Sequence, residues 1–259
     1  MADFEYTVDG HIGLMRFNRP EKLNAITYDM LGMIEDSVNS AASDGRVRAV
    51  VLSGEGRAFS AGTDLQQLAS DTHAARPPRQ ATDKTPAPWS FAALSKPTIC
   101  AVNGAAIGLG AELTSQCDLR IAGASARFGW VFVHRGLIPD TGAGTWLLSR
   151  IVGLQNAAYL LYSGETISAE KAAQLGYVME VVQDTELMER SMALATRVSA
   201  GSPLATGEVK RLLYQSLVRP PAEHLTDNRA TLNRMFASDD FREGVTSFLE
   251  KREPTWNGP

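Results

Sequence analysis

Hydrophobic and polar positions follow two different spacings along this chain of 259 residues. Near the N-terminus, apolar and polar residues alternate on both sides of Asp9-Gly10, a dipeptide that favours a tight turn between antiparallel strands. Further along, short apolar runs end in glycine or polar residues, as strands buried on both faces do. The predicted strand segments are 4–18, 47–54, 97–104, 117–123 and 177–182.

Helical patterns fill the rest of the chain. The connections between the central apolar runs are long enough for the helical crossovers that parallel strands require. After Thr185, apolar residues recur at helical spacing up to a break at Gly201-Ser202-Pro203, and another helix is expected to reach about Val218. The patterning therefore predicts an α/β fold that ends in a helical region.

One stretch shows neither the strand spacing nor the helical spacing of apolar residues. Residues 69–88, ASDTHAARPPRQATDKTPAP, are rich in proline, alanine and polar residues. Such a composition is typical of a connecting loop, and it is compatible with either a mobile lid or a plain surface loop.

Composition narrows the class of protein. Hydrophobic residues make up 44% and charged residues 21%, which suits a globular protein with a substantial core. The net charge of −4 offers no basic field, so neither a nucleic acid nor a membrane is expected as a partner. Two cysteines and an N-terminus without a signal-type apolar core predict a cytoplasmic location.

Several chemistries lack the motifs that they need. The four histidines are scattered, and neither H-E-x-x-H nor C-x-x-C occurs, so no metal site is expected. The sequence has no G-x-S-x-G motif of a serine hydrolase and no Walker-type phosphate loop.

Two glycine-rich turns and one isolated carboxylate remain as candidate chemistry. RAFSAGTDL (57–65) and NGAAIGLGAEL (103–113) each follow a predicted strand and present backbone N–H groups in a tight turn. Donors that converge from two such loops would form an oxyanion hole, which requires no particular side chain. Glu112, placed among apolar residues of the second turn, could move a proton at a carbon beside a polarised carbonyl. Turn glycines and a paired, buried carboxylate could equally serve the fold alone.

Six motifs, in chain order, resemble the enoyl-CoA hydratase/isomerase superfamily, whose fold is named after crotonase. The resemblance spans about Tyr6 to Arg252. It implies a spiral of ββα units, with a core over 1–195 and a helical oligomerisation region over 196–259 that forms trimers or dimers of trimers. It also implies acyl-CoA substrates, with coenzyme A as part of the substrate and no separate cofactor. The motifs are FNRPEKLNAIT, GRAFSAGTDL, KPTICAVNGAAIGLGAEL, CDLRIAGASARFG, GLIPDTGAGTWLLSRIVG and EGVTSFLEKR.

The resemblance assigns the oxyanion hole to two backbone amides. The first donor falls on the N–H of Thr63 and the second on the N–H of Leu109. Many relatives carry glycine at the second position. The leucine side chain is therefore expected to reshape the acyl pocket, while its amide can still donate.

The acids bear on the type of reaction. Relatives that hydrate enoyl-CoA use two glutamates; Glu112 matches the first, but Phe132 stands where the second should be. Asp140 occupies a position where an aspartate carries the chemistry in some isomerising relatives. It could instead cap the helix that is predicted to follow it, and both roles could hold. Isomerisation of a double bond is therefore favoured, with Glu112 as the main base and Asp140 as a second proton carrier.

The resemblance also places substrate contacts. Aromatic residues and a histidine near the two motifs could line an acyl pocket that accepts a bulky group, although such residues also build ordinary cores. The coenzyme A contacts are expected in the N-terminal motifs and, from a neighbouring subunit, in the C-terminal motif. The acyl-pocket candidates are Trp89, Trp130, Phe132 and His134, and the coenzyme A candidates are Lys22, Leu23, Ala25, Ala61, Asp64, Leu65, Phe248 and Lys251.

Other functions on the same fold stay open. An enoyl-CoA hydratase with an atypical acid pair is the first alternative. A thioester hydrolase or decarboxylase, or a non-catalytic acyl-CoA-binding relative, is the next. Glu112 and both glycine-rich loops argue against binding alone, which needs no acid at that position.

Overall fold

Two sheets form the framework of the protein in the computed structural model, which describes residues 2–70 and 89–256. The larger sheet has the order β1-β2-β3-β5-β7-β10, and the smaller one has the order β4-β6-β8-β9. The strands are β1 Phe4–Asp9, β2 Ile12–Phe17, β3 Ala49–Gly54, β4 Ala58–Ser60, β5 Thr98–Val102, β6 Ala105–Ile107, β7 Leu119–Gly123, β8 Arg127–Gly129, β9 Thr166–Ser168 and β10 Glu180–Val182.

Successive strands alternate between the sheets. After the β1–β2 hairpin, β3, β5 and β7 join the larger sheet in parallel, and the strand after each of them joins the smaller sheet. This repeated step confirms the spiral arrangement and the α/β class. The predicted turn closes between Asp9 and Ile12. Most of residues 69–88, the stretch predicted as a lid or loop, lies outside the described ranges.

Helices connect and cover the sheets. Helices α1, α7, α9 and α11 begin at a side-chain cap; in α1, the Thr27 side chain accepts a hydrogen bond from the Met30 N–H. The helices are α1 Tyr28–Ser43, α2 Leu65–Ser70, α3 Ser90–Ala93, α4 Leu109–Gln116, α5 Ser149–Val152, α6 Leu154–Ser163, α7 Ala169–Gln174, α8 Leu187–Val198, α9 Pro203–Ser216, α10 Pro221–Phe236 and α11 Asp239–Glu250. Short 3-10 segments lie at Pro20–Lys22, Val131–Arg135 and Asp184–Glu186, and a π-helical turn, Gly144–Leu148, precedes α5.

The larger sheet is buried on both faces, which explains its nearly continuous apolar runs. In β3, Val50 and Leu52 point into the main core, whereas Val51 belongs to a second cluster on the opposite face. Leu187 and Ala195 of α8 complete that second cluster. Helix α8 continues to Val198, so the predicted boundary at 195/196 falls inside it, and the division into two functional regions stays a prediction.

A buried lysine attaches the C-terminal helices to the core. Lys210 of α9 pairs with Asp118 at 2.8 Å and donates to the carbonyls of Phe91 and Lys96 at 2.8 and 3.0 Å. Tyr214, one turn further, donates to the other oxygen of Asp118 at 2.8 Å. None of the helices in the described ranges combines the length and the apolar character needed to cross a bilayer.

Candidate active site

The two glycine-rich turns meet in space. Gly62 follows β4 with φ +92°, and a Cβ atom there would lie 2.6 Å from the carbonyl oxygen of Ile107. Gly108 follows β6 with φ +54° and ψ −119°, a conformation that side chains strongly disfavour, and it turns the chain directly into α4. Glycine at position 62 allows the two turns to approach each other closely, whereas glycine at position 108, where an added Cβ would meet nothing within 4 Å, allows the backbone conformation.

The hydrogen bonds around these glycines orient the amides of Thr63 and Leu109. The carbonyl of Gly62 accepts a bond from Ile26, and because a trans peptide places N–H opposite C=O, the Thr63 N–H faces the other way. The carbonyl of Gly108 accepts the first intrahelical bond of α4, from Glu112. The Leu109 N–H therefore projects from the helix N-terminus, where no intrahelical acceptor exists.

Thr63 and Leu109 line one cavity of about 190 Å³. Two backbone donors on the wall of one cavity are the arrangement that an oxyanion hole requires. The walls are mostly apolar. Among the described lining residues, Arg135 and Asp140 are the charged ones. The apolar part consists of Leu65, Ile107, Leu109, Val131, Phe132, Leu137 and Ile138.

Glu112 lies one helical turn behind Leu109 and has no exposed surface. The pKa of its carboxyl is raised from 4.5 to about 7, mainly by burial and in smaller part by the nearby charge of Asp140. A hydrogen bond from Thr141, and the amides of Gly144 and Ala143, oppose this shift. The Oε2 atom accepts the Thr141 hydroxyl at 2.6 Å, while the buried Oε1 atom makes no hydrogen bond. A carboxyl in this range can both take and return a proton near neutral pH.

The loop before the π-helical turn positions these groups. Asp140 lines the cavity, and its side chain is exposed. The following helical segment begins at residue 143, so Asp140 is not its N-cap, and the capping alternative is wrong. Instead, the Thr141 hydroxyl accepts the N–H of Ala143 at 3.2 Å. The segment starts later because Gly142, with φ +76°, interrupts the helix that the sequence pattern extends back to Thr141.

The four acyl-pocket candidates occupy different places. Phe132 lines the cavity. Trp130 is fully buried, adjoins Gly144 as Glu112 does, and packs edge-on against Tyr177, so it belongs to the core. Trp89 donates its indole N–H to the Thr141 carbonyl at 2.9 Å and so supports the loop. His134 is exposed and stacks against Gly164. The last three are absent from the cavity wall because their local contacts hold them in the core, at the loop or on the surface.

The coenzyme A candidates from the N-terminal motifs lie beside the cavity. Ala61 and Leu65 are in its wall, and the Leu23 carbonyl accepts the Ala61 N–H at 2.9 Å. Lys22 is exposed at the end of a 3-10 turn, with Ala25 partly buried three residues later.

Asp64 differs from its neighbours in this motif. Its side chain accepts the Gln66 N–H at the start of α2 and pairs with Arg19 at 2.7 Å. The Arg19 guanidinium holds the pKa of the Asp64 carboxyl below its usual value. These contacts account for the buried carboxylate without a substrate.

Phe248 and Lys251 lie at the end of α11. Phe248 is 81% exposed, and Lys251 ends the helix with φ +56°. Neither residue lines the cavity within the described part of the chain, so a role in coenzyme A binding would require a neighbouring subunit.

Two residues of the site are not predicted by the sequence. Thr141 contacts Glu112 directly, although the sequence pattern places it only in a helical motif. Arg135 brings a cation to the cavity wall, and no motif predicts it there. The proximity of Thr141 to Asp140 was the one available signal. Within residues 2–70 and 89–256, no three histidine, cysteine, aspartate or glutamate side chains are grouped closely enough to hold a metal ion.

Comparison with known proteins gives a consistent result. A family model described as enoyl-CoA hydratase/isomerase matches residues 7–259. The 2,3-dehydroadipyl-CoA hydratase of Escherichia coli K12 is 36% identical over 95% of this chain and 94% of its own, and the 1,2-epoxyphenylacetyl-CoA isomerase of the same strain is 34% identical over 97% of each chain. The crystal structure of an enoyl-CoA hydratase from Bacillus anthracis superposes with a TM-score of 0.90 at 28% identity and covers 100% of both chains.

Proposed function

The chain belongs to the enoyl-CoA hydratase/isomerase family, and we propose that it shifts a carbon–carbon double bond within an acyl-CoA thioester. In this proposal the thioester carbonyl enters the cavity and its oxygen accepts the N–H groups of Thr63 and Leu109. The two donors stabilise the negative charge that develops on that oxygen when a proton leaves the neighbouring carbon.

Glu112 is the base in the proposed reaction. Its carboxylate takes the proton from one carbon of the acyl chain and returns it to another, which moves the double bond without net change of charge. A pKa of about 7 supports both steps near neutral pH. Glu112 has no exposed surface and is not among the described residues that line the cavity, so part of the wall would have to move for substrate to reach it.

Phe132 is the observation that carries the preference for isomerisation. Hydration needs a water molecule held between two acceptors, and a phenyl ring on the cavity wall provides none. Asp140 lies on the same wall and influences the Glu112 carboxyl, so it is the candidate second proton carrier. A second carrier would extend the distance over which the double bond moves.

Hydration by Glu112 and Asp140 together is the second candidate. The electrostatic influence of Asp140 on Glu112 supports it, because two neighbouring carboxyls can hold one water. Relatives named as a hydratase and as an isomerase are similarly identical to this chain, so identity does not favour either reaction.

Substrate binding and assembly belong to the same proposal. Coenzyme A would enter as part of the substrate along Lys22, Leu23, Ala25, Ala61 and Leu65. Phe248 and Lys251 of a neighbouring copy would complete its site in a trimer or a dimer of trimers. No further cofactor is required by this chemistry.

A direct comparison of two reactions tests the proposal. We expect isomerisation of 3-enoyl-CoA thioesters to be faster than hydration of crotonyl-CoA. Glu112→Gln should abolish turnover but retain acyl-CoA binding, since the amide keeps the shape and cannot take a proton. Asp140→Asn should have intermediate activity if Asp140 carries protons. Glu180→Gln, which alters a surface carboxylate paired with Arg190, is the matched control. Efficient crotonyl-CoA hydration by the wild type would reverse the order of the two candidates.

A further inference from the structure

The hydroxyl of Thr141 has all its hydrogen-bonding positions committed. It accepts the Ala143 N–H at 3.2 Å and the Gln116 side-chain amide at 3.5 Å. A hydroxyl has one proton and two lone pairs, so its proton is directed to the remaining partner, Oε2 of Glu112, at 2.6 Å. The direction of this bond is therefore fixed by the surrounding donors.

We propose that Thr141 is a positioning residue that holds Oε2 of Glu112 and leaves Oε1 as the oxygen that carries the transferred proton. The assignment of the proton rests on the proposed function. The contact itself rests on geometry alone.

The surroundings of the two oxygens support this division. Oε2 faces a hydroxyl that donates to it, so a proton on Oε2 would compete with that bond. Oε1 is buried without a hydrogen bond, against Gly144, where a Cβ atom would collide with it. An unsatisfied acceptor in an apolar site has the greater tendency to bind a proton.

Trp89 holds the Thr141 backbone in place. The indole N–H donates to the Thr141 carbonyl at 2.9 Å, which ties the loop to the start of α3. This contact gives Trp89 a supporting role in the same arrangement. A loop fixed at both its backbone and its side chain limits the rotation of the carboxylate.

The charged groups near Glu112 are few among the described residues. Asp140, on the adjoining loop, raises the pKa of the carboxyl, and Arg135 lines the same cavity. Tyr177 packs under Trp130, and its pKa is raised by burial, so it stays neutral. The amides of Gly144 and Ala143 also lower the pKa of Glu112, but they belong to the backbone and are kept in a Thr141 side-chain variant. A change in the titration of Glu112 on removal of the Thr141 hydroxyl is therefore assigned to the lost bond.

Infrared titration of the protonated carboxyl, with no substrate present, tests the contact. Thr141→Val should raise the pKa of Glu112 by about one to two pH units, because a hydrogen bond to the ionised form is lost. Thr141→Ser should restore the wild-type value. Glu112→Gln identifies the band, and Thr145→Val, which removes an exposed hydroxyl bonded to the Gly142 carbonyl, is the matched control.

The pH dependence of kcat/KM separates this inference from the proposed function. If both hold, the acidic limb of the rate profile moves upward with the infrared titration in Thr141→Val and returns in Thr141→Ser. An unchanged infrared titration in Thr141→Val, or an equal shift in Thr145→Val, would refute the positioning role. An infrared shift that the rate profile does not follow would support the contact and refute Glu112 as the base.

Discussion

Glu112 shows how one side chain acquires its chemistry from its surroundings. The residue lies on α4 among Ala111 and Leu113, and its carboxylate is completely buried. The loss of water is the largest cause of its raised pKa, and the hydrogen bond from Thr141, together with the amides of Gly144 and Ala143, offsets only part of it. An exposed glutamate at the same distance from the two amides would remain ionised and would be a weaker base.

The pH dependence of the proposed reaction follows from this carboxyl. The base must be ionised to take a proton, so kcat/KM should rise with pH through about 7. Asp140 raises the pKa of Glu112, so Asp140→Asn should move this rise of kcat/KM, the acidic limb of the profile, to lower pH. A pH–rate profile of both proteins measures the shift. A limb that stays in place would contradict the electrostatic contact between the two acids.

The buried carboxyl should also lower the stability of the fold at higher pH. Its pKa is higher in the folded state than the ordinary 4.5, so the folded state binds more protons between these values, and stability falls as pH rises from about 4.5 to 7. A shift of this size corresponds to about 3 kcal/mol as an upper estimate. Glu112→Gln should therefore gain stability relative to the wild type at pH 8 but not at pH 4. Denaturant unfolding at the two pH values measures the free energy of unfolding of both proteins. An equal difference between variant and wild type at pH 4 and pH 8 would contradict a carboxyl that is buried in its neutral form.

At the scale of elements, the proposed oxyanion hole would be formed by two turns and not by side chains. The turn after β4 and the turn between β6 and α4 are brought together because β4 and β6 are parallel neighbours in the smaller sheet. Their carboxyl ends therefore lie at the same edge, and Thr63 of the first turn and Leu109 of the second both line the cavity. The spacing of the donors depends on the glycines that allow this approach.

A substitution in the first turn tests this dependence. Gly62→Ala should reduce turnover by about 100- to 1000-fold, the usual cost of losing one such donor, because the added methyl collides with the Ile107 carbonyl and shifts Thr63. Gly10→Ala is the matched control, since Gly10 also has positive φ but nothing lies within 4 Å of an added Cβ. Steady-state kinetics and melting temperature should be measured for both. Equal loss of activity in the two variants would indicate a general effect of strain.

At the scale of the molecule, the C-terminal helices expose a large apolar surface. They are attached to the core through Lys210, yet many of their large side chains remain in contact with solvent. Isolated exposed apolar residues are normal, whereas an extended group of them is typical of an interface. The exposed residues of this region are Val209, Leu213, Val218, Leu225, Leu232, Phe236, Phe241, Val245, Phe248 and Leu249.

This surface leads to a prediction about assembly. Sedimentation at micromolar concentration should show a trimer or a dimer of trimers, because association would bury the apolar residues of α9, α10 and α11. Leu232→Glu should weaken the assembly, while Leu154→Glu, which alters a more exposed leucine on α6, should have a smaller effect. A stable monomer of the wild type would contradict the prediction, and with it the role of Phe248 and Lys251 in a neighbouring site.

The sequence by itself determined the elements and the chemistry of the backbone. Apolar runs such as 47–54 are periodic signals of buried strands, and the glycines at 62 and 108 mark turns that no other residue forms easily. These features depend on neighbouring residues only, so they can be recognised along the chain. The family motifs then predicted the spiral of ββα units and a role for Glu112 as acid and base, and this role stays a prediction.

Only the tertiary structure decided which side chains surround that acid. Trp130 and His134 lie four residues apart, yet one is buried and the other is exposed, while Trp89 reaches the Thr141 loop from 52 positions away. The start of the helical segment at residue 143 also removed the capping role of Asp140. Such outcomes depend on contacts between residues distant in sequence and on the conformation of loops, and neither leaves a periodic signal in the chain. The pKa of Glu112 has the same origin, because burial is a property of the folded molecule.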